Sequence, residues 1–274
     1  MRLFFLLACT MVAFAANSIL TRMGLAEGRI GPAAFSAIRL ASAAVSLAVL
    51  VKLRGRALPL RSPRRWRGVL ALTVYVLGFS FAYLWLQAGV GALILFGAVQ
   101  VTMFSAAFLS REPIPLRRLI GATIGFLGLI LLMWPTGGGA PDPLGALLMA
   151  AAGIGWGAYS ILGRGARDPE AETAANFLLA VPFGLLALLF TKGAPLSAEG
   201  IVLALTSGVM TSGLSYALWY RILPQLQTST AAIAQLTVPV IAAAGGAVLM
   251  GETLSVRFIL AASMVAGGVA GSLR

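Results

Sequence analysis

The chain carries few residue types able to do chemistry, and their kinds point to binding rather than bond breaking. It has no histidine and a single cysteine, Cys9. That removes a Ser–His pair, a histidine-held haem, a zinc cluster and an intrachain disulfide. Its eight carboxylates are Glu27, Glu112, Asp142, Asp168, Glu170, Glu172, Glu199 and Glu252. All fall beside breaks between apolar runs and none inside one, so neither an aspartyl dyad nor a mid-depth proton carrier is available. No catalytic residue, metal ligand or cofactor site is expected. What remains inside the apolar runs is a set of amides, hydroxyls and rings: Asn17, Phe79, Tyr83, Gln100, Trp156, Tyr159, Ser160, Tyr216 and Gln235.

A pocket for a small solute is mostly apolar with a few placed polar groups, and these residues have that composition. Tyr and Trp pair an apolar ring with one polar handle. Any one ring taken alone is a packing or interfacial residue. Gln100 and Gln235 say more, because an amide in hydrocarbon is costly without a partner, and an interhelical hydrogen bond competes with solute contact as the reason for each. Arg39 lies two turns inside an apolar run. The simple expectation is that it snorkels outward; the functional alternatives are attraction of a substrate carboxylate or a pair with Glu252. Gly155, in the cluster Gly153, Gly155 and Gly157, and Pro239 are candidate hinges, and Pro182 a candidate bend.

Positioning these groups requires a lipid solvent. Of 274 residues, 59% are hydrophobic and 10% charged, with a mean hydropathy of +0.96; a soluble domain carries about a quarter of its residues as charges. Ten apolar runs of spanning length lie near 3–24, 33–51, 68–87, 90–109, 117–134, 144–163, 173–191, 199–219, 229–250 and 256–272. Proline and glycine clusters separate them. The 20 basic against 8 acidic residues read as topology rather than nucleic-acid binding. The loop after the second run holds Lys52, Arg54, Arg56, Arg61, Arg64, Arg65 and Arg67, and the positive-inside rule then places both termini in the cytoplasm. This loop can also touch anionic lipid, although orientation explains it without further assumption. Met1-Arg2 before an apolar run resembles a secretory signal, but its basic region is two residues long and the run continues past any cleavage point, so the first run is expected to stay as a span.

Ala16–Arg22 recurs as Ala158–Arg164, 142 residues later. Leu109–Glu112 with Pro115-Leu116-Arg117 recurs, 140 residues later, as Leu249–Glu252 with Ser255-Val256-Arg257. Leu84-Trp85 and Leu218-Trp219 form a weaker third match. The chain therefore reads as two five-helix halves, 1–135 and 136–274, and because five is odd the halves are inverted in the membrane. The fold expected is an all-α polytopic membrane protein of ten transmembrane helices in two inverted-topology repeats.

Two such halves, with each fourth helix closing on a Glu-containing turn (Arg111-Glu112-Pro113 and Gly251-Glu252-Thr253), resemble the EamA-type branch of the drug/metabolite transporter superfamily. Thr230–Leu254, with Pro239 placed 13 residues before Glu252, is similar to that repeat's most recognisable segment, and Phe35–Leu40 with Arg39 fits it too. The first half departs from it: Val99 stands where the second half has Pro239, and Arg111 where it has Gly251. Within the branch the chain resembles the YddG-type amino-acid exporters. The resemblance implies a monomeric multi-pass bacterial inner-membrane carrier that exports small zwitterionic metabolites, aromatic and other neutral amino acids, by alternating access and facilitated diffusion. Its partners would be a small-molecule substrate and membrane lipid. Carriers of sugars, nucleotide-sugars or drugs, a passive channel, and an intramembrane lipid-modifying enzyme are the alternatives.

Overall fold

In lipid every backbone N–H and C=O must be satisfied within the chain, and a helix does this locally. The computed structural model describes residues 2–61, 65–111, 115–134, 141–164, 166–191, 193–252 and 256–273. These form α1 (Arg2–Ala26), α2 (Pro32–Leu53), α3 (Arg65–Ala82), α4 (Ala88–Leu109), α5 (Leu116–Met133), α6 (Pro143–Arg164), α7 (Pro169–Ala187), α8 (Ala198–Thr206), α9 (Ser215–Ile222), α10 (Thr228–Gln235), α11 (Thr237–Met250) and α12 (Val256–Leu273). A π-helical segment, Ser207–Leu214, joins α8 to α9 without a break. The described residues contain no strand, only an isolated bridge between Ile30 and Leu196.

Local sequence sets the ends. Pro32 and Pro169 open α2 and α7, where a missing N–H costs nothing, and the Asp168 carboxylate accepts from Ala171 N. The Ser197 hydroxyl caps α8 through Gly200 N. Gly251, at φ 66°, ends α11 in the left-handed region that glycine enters without strain. The turn after α4 is made by Arg111, also in the left-handed region at φ 54° but with a side chain to accommodate.

Seven helical stretches are long and apolar enough to cross a membrane: Arg2–Ala26, Pro32–Leu53, Ala88–Leu109, Pro143–Arg164, Pro169–Phe190, Ala198–Gln225 and Ile233–Met250. The three other expected spans are helices of 18 residues each, α3, α5 and α12. Arg65 and Arg67 occupy the first turn of α3, and the apolar stretches within α5 and α12 are the shorter Leu119–Gly128 and Ile259–Gly268. The expected boundary between halves, at 135 and 136, lies outside the described residues, as do Arg64, Glu112 and Lys192.

α6 packs against both α3 and α4, α2 against α7, α5 against α12, and α1 against α8, the π segment, α9 and α11. Glycine makes the tightest approach possible: a Cβ on Gly155 would lie 2.8 Å from the Ala71 carbonyl oxygen of α3. The core is aromatic, with Trp156, Trp219, Tyr83, Tyr159, Tyr216, Tyr220, Phe35, Phe79 and Phe177 fully buried, whereas Val12, Val45, Leu127, Leu147, Ile154 and Val202 face outward.

Candidate functional site

Where α1, α3, α4, α6 and α9 converge, Phe14, Asn17, Ser18, Tyr75, Phe79, Leu95, Phe96, Trp156 and Tyr216 line a small cavity of about 10 Å³, the room of one water. Its walls are interlocked rings. Trp156 lies 4.7 Å from Tyr216, 5.2 Å from Tyr75 and 5.3 Å from Phe14, measured between centroids. A solute the size of an amino acid therefore requires these rings to part.

The polar groups around the cavity form one network. Asn17 Oδ1 accepts from Ser207 Oγ at 2.8 Å and lies 3.0 Å from Thr211 Oγ1, while its Nδ2 donates to the Tyr75 hydroxyl at 3.1 Å. Ser207, Thr211 and Ser215 recur at helical spacing on the π segment and the start of α9. A π turn widens the helix and displaces such groups from their α positions. Gly208 lets this segment meet α2, since a Cβ there would lie 2.6 Å from the Arg39 carbonyl oxygen.

Arg39 overturns the expectation that it snorkels outward. Its side chain is 0% exposed. Nε donates to Ser212 Oγ at 2.8 Å, and Nη2 donates to the hydroxyls of Tyr75 (2.9 Å) and Tyr216 (3.4 Å). The guanidinium carbon sits 5.2 Å from the Tyr75 ring centroid and 5.1 Å from that of Phe79, within cation–π range. Burial among oxygens and ring faces substitutes for the water that snorkelling would have reached. Nor does Arg39 pair with Glu252, which instead faces Arg22 at 3.9 Å.

The nine sequence candidates separate by position. Asn17, Phe79, Trp156 and Tyr216 line the cavity. Gln235 stands behind it, its Oε1 accepting from the Trp156 indole at 2.7 Å. Gln100 donates to the Ala122 carbonyl of α5 at 3.1 Å, which is a helix-to-helix bond. Tyr83 packs edge-on against Phe79 and donates to the Ala88 carbonyl at 3.2 Å. Tyr159, with its hydroxyl accepting from Asn176 at 3.3 Å, lines a separate cleft, and Ser160 is buried beside it without lining the cavity. Gly155 lies at the α3–α6 contact. Pro239 sits in the first turn of α11, just past the interruption at Leu236, where its missing N–H leaves the Gln235 carbonyl unclaimed by the usual helical bond.

Sequence reasoning missed Phe14, Tyr75, Ser207, Thr211 and Ser212. Tyr75 was findable, because it lies four residues before Phe79 and eight before Tyr83, on one helix face. The hydroxyl-rich run Ser207–Tyr216 carried the other signal.

The two ends of the bundle differ. At one, Arg22 Nη1 donates to the Tyr83 carbonyl at 2.9 Å, and Glu252 Oε1 accepts from Ala88 N at 3.2 Å, placing a carboxylate at the N-terminus of α4. At the other, Arg54 meets Glu170 at 2.5 Å, and Arg56 meets Asp168 at 2.7 Å and Glu170 as well. The hydrogen bond to Glu170 holds the Arg56 guanidinium above its ordinary pKa, with the charges of Glu170 and Asp168 adding to it. Its charge is thus present at every working pH and would be lost only on raising pH through that elevated value. Arg65 donates to Asn176 Oδ1 at 3.1 Å. Two clefts of about 410 Å³ open at this end. One is lined by residues including Arg65, Tyr159, Arg167 and Asn176, the other by residues including Leu50, Arg54, Arg56 and Arg221.

Residues 143–274 match the EamA-like transporter family. The chain is 47% identical over 271 residues to an uncharacterized protein of Pseudomonas aeruginosa, covering 98% of this chain and 93% of that one. An uncharacterized transporter of Archaeoglobus fulgidus is 29% identical over 87% of this chain and 86% of its own. A protein of Salmonella typhimurium named a probable amino-acid metabolite efflux pump is 25% identical over 67% of each. A solved crystal structure shares the fold at a TM-score of 0.77 and 21% identity, covering 97% of this chain and 98% of that one. With apolar helices of membrane-spanning length around a polar-lined centre, and with these relatives, the chain belongs to the EamA-like transporter family, in the drug/metabolite transporter superfamily.

Proposed function

We propose that this protein exports small zwitterionic metabolites, aromatic and other neutral amino acids, across a bacterial inner membrane by alternating access. The observation that carries the reading is the central cavity, enclosed by rings from five helices and edged by amide and hydroxyl groups. Its lining has the composition of a solute site, and its closure fits a carrier better than a channel. The Salmonella relative's printed name supports amino-acid metabolites as cargo.

All ten helical stretches cross the membrane in this reading, as two inverted halves with both termini cytoplasmic, and the protein works as a monomer. The packing supports it. If α1 corresponds to α6 and α2 to α7, the α3–α6 contact has its counterpart in α1 against α8–α9, and α4–α6 in α1–α11. The α2–α7 and α5–α12 pairs then map onto themselves. Arg111 and Gly251, both in the left-handed region, hold equivalent turns. Among the described residues no carboxylate lines the cavity, which supports facilitated diffusion over proton exchange. The nine candidates then divide into contact residues, Asn17, Phe79, Trp156 and Tyr216, and supports, Tyr83, Gln100, Tyr159, Ser160 and Gln235, with Gly155 and Pro239 as pivots.

The test is uptake of labelled phenylalanine, threonine and methionine into proteoliposomes, with and without a pH gradient, for the native protein, Trp156→Ala and Gln235→Ala. Saturable flux indifferent to the gradient and lost in both variants is expected. Absence of flux for all three solutes overturns the amino-acid assignment.

A further inference from the structure

The centre of the molecule holds a positive charge and more hydrogen-bond donors than acceptors. Arg39 is fully buried, and among the described residues no carboxylate lies within ion-pair distance of it. Its Nη1 is buried without a hydrogen-bond partner. A guanidinium has five N–H donors and no acceptor, and burying such a charge is expensive unless it is compensated.

The donor excess is passed to the cavity wall. The Tyr75 hydroxyl accepts from both Arg39 Nη2 and Asn17 Nδ2, and the Tyr216 hydroxyl accepts from Arg39 Nη2. Each phenol spends its oxygen on a donor and keeps its own proton. Even where one phenol donates to the other, one O–H is left, and Tyr75 and Tyr216 both line the cavity. Asn17 Oδ1, an obvious acceptor nearby, is already taken by Ser207 and approached by Thr211. The site therefore lacks an anionic acceptor. The rings of Phe14 and Trp156 line the same cavity, and aromatic rings suit an apolar side chain or an ammonium group.

We infer that Arg39 is the positioning residue for an anion, holding the hydroxyls of Tyr75 and Tyr216 so that they donate to a substrate carboxylate whose charge the buried guanidinium balances. This rests on reading the central cavity as the substrate site, and it narrows the cargo to solutes bearing a carboxylate. Amines and amides of the same shape bring no negative charge and are rejected.

Four probes of similar size decide it: phenylalanine, phenylalaninamide, phenylacetate and phenethylamine, titrated against the purified full chain by intrinsic tryptophan fluorescence, to which Trp156 in the wall contributes. Phenylalanine and phenylacetate should bind about tenfold or more tightly than their carboxyl-less counterparts, the worth of one charge-assisted hydrogen bond. Arg39→Gln should bring that ratio close to one. Arg39→Lys should restore part of it, and Tyr216→Phe should weaken the two carboxylates several-fold while leaving phenethylamine unchanged. Should Arg39→Gln fail to fold, the native ratio and Tyr216→Phe still decide.

Equal binding of all four probes by the native chain, tighter binding of the amine, or binding of none overturns the inference. So does a folded Arg39→Gln protein that keeps the preference. Phenylacetate binding with no binding or flux of phenylalanine sinks the amino-acid reading and leaves the anion site standing. Phenylalanine flux without carboxylate preference does the reverse.

Discussion

The two ends of the bundle are both rich in charge, yet they close by different means. At the Glu252 end loop backbones are joined directly, Gly31 N donating to the Pro195 carbonyl at 2.9 Å and Ser197 N to the Arg29 carbonyl at 2.8 Å, with an Arg29–Glu199 ion pair at 2.8 Å beside them. Glu252 adds a carboxylate that grips the start of α4 and faces Arg22. The Glu170 end relies on side-chain pairs from Arg54, Arg56 and Arg65, and there the two clefts remain. Charge pairs between long side chains span a gap without filling it, whereas hydrogen-bonded loop backbones approach each other closely. The difference teaches that ion pairs alone do not describe how an end of the bundle is held together.

The largest expected effect belongs to the layer both ends share. Trp156→Ala removes a buried indole that touches Phe14, Tyr75 and Tyr216, and should cost about 3–5 kcal/mol, read as a lowered unfolding midpoint in detergent. A loss below ~1 kcal/mol would show that the rings do not bind the ends together.

Next is Glu252→Gln, which leaves Arg22 without its counter-charge and weakens the hold on α4. A loss of about 1.5–3 kcal/mol is expected. In a Cys9→Ser background, a cysteine placed at Ser18 should then react several-fold faster with an impermeant maleimide from the Glu252 side. Unchanged labelling would break the comparison, because closure there would owe nothing to Glu252.

Gly155→Ala puts a methyl against the Ala71 carbonyl oxygen and Tyr75 N, and overpacking of this kind costs about 1–3 kcal/mol. A hinge with open space would tolerate it, so thermal unfolding separates the two roles. Arg111→Gly should act in the opposite direction, since the left-handed conformation at φ 54° costs a side-chain-bearing residue roughly 1–2 kcal/mol. A rise in the unfolding midpoint is the check.

Arg56→Ala should change least. Its side chain and that of Asp168 are each a third exposed, and Glu170 keeps Arg54 as a partner when Arg56 is removed; such exposed pairs are worth at most about 1 kcal/mol and fade in salt. The variant and the native chain should converge in stability at high ionic strength, while the Glu252→Gln deficit persists.

Much of this molecule was legible in the residues. The placement of carboxylates beside the apolar runs, the runs themselves and the glycine and proline breaks between them fit lipid as solvent. Asn17, Phe79, Trp156 and Tyr216 were visible as polar or aromatic groups in apolar surroundings. Gln100 and Gln235 were visible too, but whether a buried amide serves a solute or a neighbouring helix depends on what stands 3 Å away. Arg39 is the sharpest failure, because the snorkelling rule assumes lipid or water around the side chain and its surroundings are protein.

By itself the sequence determined the helical class, the apolar runs long enough to cross a membrane and the lack of histidine, since each depends only on composition and local periodicity. Tertiary structure decided which rings meet, which end is stapled by backbone, and that the π segment carries Ser212 to Arg39. Those outcomes join residues as far apart as positions 39 and 212. Their partnership depends on helix packing and a local change of helical pitch, neither of which a pattern along the chain encodes.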